Sequence, residues 1–534
     1  MNRVLPEGFA HSRRGFLAGA GGAAAAALLT GPQALAAPRA RKRPTLRGGR
    51  FAEGVMSGDP TPDGITLWTR LADVEGFGTV EVEVARDRGF HKVVARGLIK
   101  TTPRLSHSVK TRVVDLKPYE EYFYRFTTRG SESPIGRFRT ALPPDSRQPV
   151  RFAFWSCQDY TFGHFNAHRM LVKEDVDFVV NLGDYIYAEA YYSANDGLGG
   201  VRTDPIGFSE TLAQYRDKYR LYRTDPALRR MHSQFPMISI WDDHEVEDNY
   251  AGGAGPTGGL APELEYTRAR QASAYRAFFD SMPTYGAKGP GNNRIYRGMR
   301  FGRTVDLVLL DQRQYRADQP CGDAQVGPAC DDLGAPRNFL GKRQMGFVKK
   351  RLAGSDAAWK VMANQVMIMP TIYPGGDYIG FDSWQGYPRE RHELLQHIQR
   401  KKIEDVVFVT GDIHTFVAGD VRVDNDDKKP VATEFVGGSI SSPGLGEGGG
   451  GILPTADPYN PKTPESIIDL LKQTNPWAVD AEFDHHGYGL VEATQQHFSC
   501  KLRRIDTVKT VSSKALPDKR FSYRIARGER SLLD

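Results

Sequence analysis

Four cysteines in 534 residues are too few for a disulfide-built scaffold, so the fold must rest on a hydrophobic core. There is no uninterrupted apolar run of about 18 residues, so no stable membrane anchor is expected. Long blocks of one charge sign are also missing. The formal net charge is +7, and Arg3, Arg13 and Arg14 against Glu7 supply part of it. Apart from Arg39, Arg41, Lys42 and Arg43, the basic residues are interspersed with acids. No nucleic-acid partner is expected from that pattern. No internal repeat is visible. The length leaves room for two or more domains.

What is present begins with an export signature. Arg13 and Arg14 precede Phe16, Leu17 and an Ala/Gly-rich weakly apolar run, and Ala34-Leu35-Ala36 forms a small-residue cleavage site. Residues 1–36 read as a twin-arginine signal peptide, which implies the twin-arginine export machinery as a partner and a periplasmic or secreted location. In an oxidising compartment Cys321 and Cys330 would form a local disulfide; otherwise they are two free thiols in a polar loop. Cys500 alternates with apolar residues and reads as a core thiol.

Residues 45–142 carry short alternating runs such as 80–87, 111–118 and 121–129, separated by Gly and Pro clusters. They predict a small all-β sandwich domain. The Pro-rich stretch 141–149 is the expected boundary. From 150 to about 530, strands alternate with helical patterns, which argues a layered α/β domain around mixed or parallel sheets. Helices are expected at 164–175, 209–223, 226–234, 262–282 and 389–402. Strands are expected at 151–155, 236–241, 303–311, 358–368 and 405–412, and at 487–493, 497–504 and 520–526 near the end.

The run DFVVNLGDYIY (177–187) is the centre of this pattern. Four apolar residues ending at Gly183 read as a doubly covered strand. Chemistry in open α/β sheets gathers at the carboxyl ends of strands. Asp184 and Tyr187 fall there. Four other strand ends carry ligand-type residues: Cys157; Asp242, Asp243, His244 and Glu245; Asn364; and Asp412 with His414. Structural salt-bridge networks do not recur at successive strand ends, so a shared site is expected.

The elements Gly183–Tyr187 (GDxxY), Asp242–Glu245 (DDHE), Asn364 and Gly411–His414 (GDxH) resemble the motif series of calcineurin-like metallophosphoesterases. Cys157 in place of a ligand Asp and Asp412 in place of a His point to one branch. With the stretches 51–70, 154–165 and 433–444, they resemble the alkaline phosphatase D family. The resemblance implies a four-layer metallophosphoesterase sandwich of mixed β-sheets flanked by helices, preceded by the small β-sandwich. It implies an alkaline phosphatase or phosphodiesterase that hydrolyses phosphate esters with Fe3+ and one or two Ca2+. Cys157, Asp184, Tyr187 and His414 are the expected iron ligands, with Asp184 shared between metals. Asp243, Asn364 and Asp412 are the expected calcium ligands, since oxygen donors favour a hard cation. Asp184 and His244 are the expected catalytic residues, His244 as proton donor to the leaving group or as a hydrogen bond to the phosphate. A phospholipase D-like diesterase acting on lipid headgroups is the alternative.

Three weaker signals read as non-catalytic. His164 and His168 share a helical face without a third ligand. The acidic run 423–429 reads as a hairpin turn rather than a calcium loop. The pair His485-His486, ahead of Gly487-Tyr488-Gly489, is a weak candidate for lining the mouth of the site.

Overall fold

The computed structural model describes residues 44–194, 197, 199–252, 266–284, 293–447 and 465–532, together with the backbone of 33–35. The expected signal peptide lies outside the described residues except for Gln33–Leu35, which run parallel to Ser108–Val113.

Two sheets carry most of the chain. In the first, Val150–Trp155, Phe178–Asn181 and Pro236–Ser239 are parallel neighbours. His486–Ala493, His497–Ile505 and Ser522–Ala526 extend one side antiparallel. In the second, Val305–Leu309, Trp359–Asn364, Val406–Thr410 and Ala432–Gly437 run parallel. Arg297–Phe301 flanks one edge antiparallel, and Phe416–Val421 with Ala478–Glu482 flank the other.

The layering follows from the period-2 alternation of strand side chains. Trp359, Val361 and Ala363 face a core shared with Phe152, Val180 and Ile238 of the first sheet. Met362 and Phe408 face away and pack with Val348, Leu352, Leu394 and Ile398. Those residues come from the helices Gly341–Gly354 and Pro388–Arg400. The outer face of the first sheet is covered by Asn166–Leu171, Leu212–Tyr222 and Pro226–Gln234, whose Leu171, Tyr215, Leu228 and Met231 join its core. The result is helix, sheet, sheet, helix.

The expected β-sandwich is present. Gly78–Ala85, Val93–Thr101, Glu121–Thr127 and Gly136–Arg139 form one antiparallel sheet. Val80, Val82 and Val84 pack against Ile65, Leu67 and Val109 of the facing strands. Those facing strands are not a separate sheet. Ser57 and Gly58 pair in parallel with Pro236 and Met237, so ten strands run continuously across the Pro-rich stretch.

Cys321 and Cys330 are joined in a disulfide. Cys500 is buried in the core. The acidic run 423–429 connects the antiparallel strands Phe416–Val421 and Ala432–Gly437, as a hairpin turn would. Among the described residues no helix is long and apolar enough to cross a membrane.

Candidate metal centre

Parallel register sets the site. Asn181 pairs with Trp155 and with Ser239, so three strands of the first sheet end level with one another. Asn364 pairs with Thr410 and Thr410 with Val436 in the second sheet. The turns beyond these ends converge on a cavity of about 230 Å³ lined by Asp184, Tyr187, Asp243, His244, Asp412 and His414, among others.

The turns are tight. Cys157, Asp184, Asp412 and His414 all have positive φ, at 56°, 51°, 73° and 57°. Non-glycine residues hold such a conformation at a cost of about 1–3 kcal/mol each, and it clusters where side chains must be aimed. Gly183, at φ 120°, has no room for a Cβ, which would lie 2.3 Å from Cβ of Asp242. A Gly183→Ala protein should therefore shift Asp184 and lose most of its activity. Wild-type turnover in that variant would contradict this packing.

Around the cavity, ligand-type atoms of the described residues form three groups, each with its atoms within 4.8 Å of one another: Cys157, Asp184 and His414; Asp184, Asp243 and His244; Asp242, Asp243 and Asp412. Asp184 is common to two groups and Asp243 to two. Tyr187 joins the first, its oxygen 3.0 Å from His414 Nε2. Cys157 Sγ lies 3.3 Å from Asp184 Oδ2. Glu245, part of the DDHE element, ties the turns together by accepting from the backbone N–H groups of Asp184, Tyr185 and Asp242.

Asn364 ends the strand Trp359–Asn364 and is not among the residues lining the cavity. Its Oδ1 accepts from Gln312 Nε2 (2.6 Å) and Trp384 Nε1 (3.0 Å), and its Nδ2 donates to the carbonyl of Val366. Both polar atoms of its side chain are engaged inside the core, and Asp242 stands beside Asp243 and Asp412 in the third group.

The surroundings also hold residues that motif reading missed. Arg313, fully buried, reaches Asp242 through Nε, Asp382 through Nη1 (2.8 Å) and Asp412 through Nη2 (3.2 Å). It lies just past the strand Val305–Leu309, so the same strand-end rule could have found it. Glu189 Oε2 accepts from His244 Nδ1 at 2.9 Å, which leaves Nε2 facing the cavity. The His244 ring stacks on Tyr187 at 4.0 Å between centroids.

Burial pushes Cys157 and Tyr187 well above their ordinary values, and neighbouring acids add to this. Burial, then Asp243, does the same to Asp184. Asp242 rises to about 7 by burial, against the pull of Arg313. Burial opposes ionisation of Asp243, but Arg313 and His244 bring it to about 2. His414 is pushed down to about 4 by burial, so it is neutral and free to ligate. His244 goes the other way: burial disfavours its cation, but Asp243, Glu189 and Asp184 together raise it well above the usual imidazole range.

These directions describe a pocket with more acid than its own cations can hold ionised. Asp184 Oδ1 is buried with no hydrogen-bond partner. A lone buried carboxylate oxygen costs a great deal unless a cation meets it. The donor set therefore fits metal ions, with thiolate, phenolate and imidazole on one side and carboxylates on the other.

His168 is not part of this. It is buried against Trp155, bonds Gln158 Oε1 through Nε2 at 2.9 Å, and is pushed down to about 3 by burial.

The fold is the layered sandwich of the metallophosphoesterase class, with a candidate metal centre at its strand ends. Comparison with known proteins narrows this. Residues 152–502 match the PhoD-like phosphatase family, and residues 36–142 match the N-terminal domain of PhoD-like phosphatases. The chain is 36% identical over 450 residues to alkaline phosphatase D of Bacillus subtilis (strain 168), covering 81% of this chain and 77% of that one. A solved structure of PhoD superposes with a TM-score of 0.80 at 32% identity, covering 91% of this chain and 92% of that one. A purple acid phosphatase from yellow lupin (Lupinus luteus) seeds shares the fold at a TM-score of 0.51 and 15% identity, covering 90% and 75%. The chain belongs to the PhoD-like phosphatase family and is a phosphatase.

Proposed function

We propose that the protein is an exported, metal-dependent hydrolase of phosphomonoesters, phosphodiesters or both. Ferric iron would be held by Cys157, Asp184, Tyr187 and His414. Calcium would be held by Asp243 and Asp412, with Asp184 shared and Asp242 alongside. The single observation that carries this is the pair of ligand groups meeting at buried Asp184, whose Oδ1 has no partner of its own. Thiolate and phenolate suit a trivalent ion, and carboxylates alone suit a hard divalent one. When bound, the ions would supply positive charge against the phosphoryl oxygens and acidify a water nucleophile.

The chain's own residues do the rest. Glu189 fixes the His244 ring and keeps its Nε2 turned to the cavity. The proton held at Nε2 is placed to pass to the leaving-group oxygen or to bond a phosphate oxygen. Glu245 keeps Asp184 and Asp242 at the strand ends. Residues 1–36 act as the twin-arginine signal, 45–142 as a β-sandwich domain and 150–530 as the catalytic domain. The periplasm or the medium is the destination, in keeping with the disulfide.

A second reading, a phospholipase D-like diesterase, draws support from the cavity rim. Tyr191, Tyr192, Met367, Ile379, Ile413 and Leu445 give it an apolar wall that could receive a lipid ester.

Elemental analysis with a visible spectrum tests the proposal. About one iron per chain, with calcium and a broad tyrosinate-to-iron band, is expected. Chelation should abolish turnover of p-nitrophenyl phosphate and bis-p-nitrophenyl phosphate, and the metals should restore it. A colourless protein that holds zinc would overturn the ligand assignment. Faster turnover of phosphatidylcholine vesicles than of bis-p-nitrophenyl phosphate would favour the second reading.

A further inference from the structure

The loop after the strand Ala432–Gly437 touches three of the four residues assigned to iron. Its backbone N–H groups at Ile440, Ser441 and Ser442 point at the carbonyl of Cys157, at 3.1, 3.3 and 3.3 Å. The carbonyl of Pro443 accepts from His414 Nδ1 at 2.9 Å. That bond leaves the lone pair of His414 on Nε2, which faces Tyr187. Ser442 Oγ donates to the Tyr187 oxygen at 2.6 Å.

The direction of the last bond follows from its neighbours. The lone pair of His414 Nε2, 3.0 Å away, takes the Tyr187 hydrogen, so the Tyr187 oxygen accepts from Ser442, whose Oγ accepts in turn from the backbone N–H of Asp159 at 3.0 Å. Ser442 is wholly buried, and no solvent competes for that hydrogen. The loop itself is anchored. Ser441 Oγ donates to the carbonyl of Asp159 at 2.7 Å, and Ser439 Oγ to the carbonyl of Ser442 at 2.6 Å. Ser439 in turn meets His486 Nδ1 at 2.8 Å, and His486 Nε2 lies 2.9 Å from Glu447 Oε2. This gives His486 a place: it braces the loop from behind rather than lining the site.

We infer that Ser442 is a positioning residue for the phosphatase centre: its hydroxyl hydrogen bond orients the Tyr187 oxygen and tunes how strongly that oxygen donates to the metal. A hydrogen bond to a ligand oxygen withdraws electron density from it, and such supporting bonds govern both affinity and the electronics of the ion. The inference rests on the metal centre proposed above.

The test compares wild type, Ser442→Ala and Ser442→Thr, each purified with its native metals. Metal retention is read under chelator challenge, along with the visible spectrum and the melting temperature of the metal-free proteins. Ser442→Ala should lose about 10–100-fold in affinity at this centre. Its tyrosinate-to-iron band should move to longer wavelength, because the unsupported oxygen is the better donor. Ser442→Thr, which keeps the hydroxyl, should restore both. If the alanine variant does not fold, Ser442→Cys, nearly the same size with a weaker donor, should fall between.

A Ser442→Ala protein with wild-type affinity and band position overturns the inference, even if it melts lower, since a packing role alone would lower only the melting temperature. A wild type holding an ion other than iron would remove the iron assignment, while the affinity comparison would still decide the role of Ser442. A wild type with no ion at the centre would overturn both.

Discussion

Asp184→Asn should abolish phosphate-ester turnover, by on the order of 10³-fold, and leave the metal-free fold intact. Asp184 is the one carboxylate common to the Cys157 and Asp243 groups. An amide keeps the shape and removes the charge. In the metal-free protein burial and Asp243 already press Asp184 toward its neutral acid, so Asn is close to a replica of that form. Its melting temperature without metals should therefore match wild type or exceed it. With metals, wild type should gain stability that the variant does not, because ions that bind only the folded state stabilise it. Paired melting curves with and without iron and calcium check this alongside a p-nitrophenyl phosphate assay. An active Asp184→Asn enzyme would sink the two-metal scheme.

Arg313→Ala should produce the largest loss of stability in the molecule. The guanidinium lies among Asp242, Asp243, Asp382 and Asp412, and no part of it reaches solvent. Those acids hold Arg313 charged against its burial. Removing one partner of a buried pair costs about 3–5 kcal/mol because the other charge is left stranded. Here Asp242, Asp243 and Asp412 lose the cation together, while Asp382 keeps Arg316. Millimolar calcium should restore part of the loss, since the acids regain a shared cation. Arg313→Lys should do less harm than Arg313→Ala but still be impaired, because an ammonium cannot reach three carboxylates from one plane. Thermal unfolding with and without calcium reads both effects. An alanine variant that melts with wild type in calcium-free buffer would contradict this account.

The parts of the site legible in the sequence share one physical cause. An apolar run that stops at a polar residue marks a strand end, and parallel strands bring their ends to one side. Cys157, Asp184, Tyr187, Asp243, Asp412 and His414 follow from that rule with the motif resemblance, and they do meet. Asn364 obeys the same rule in its place, but a strand end fixes where a residue lies, not which partners its side chain takes. Gln312 and Trp384 claim its oxygen, and neither is near it in a motif. Arg313 was passed over because a cation at a strand end does not read as a metal ligand, although it obeys the same rule.

In the fold, the helix Gly341–Gly354 was not legible. Glycines at 341, 346 and 354 dilute its apolar stripe, and only Gln344, Met345, Val348 and Leu352 are buried. The joining of the sandwich to the larger sheet was equally hidden, because edge pairing between distant strands leaves no trace in either strand's own pattern.

That joined sheet bears on how the protein comes to be folded. The strand leading to Asp242 and Asp243 has Phe178–Asn181 on one side and Val55–Thr61 on the other, with the whole run from 62 to 235 between the latter and it. Contacts between residues so far apart in sequence form late, because the intervening chain must first be brought to order. Until they form, one edge of Pro236–Ser239 offers unpaired amide and carbonyl groups, the feature that draws unfinished chains into aggregates. The N-terminal strands thus act as the late-closing clasp of the catalytic sheet, and Asp242, Asp243 and His244 follow directly on the strand they secure.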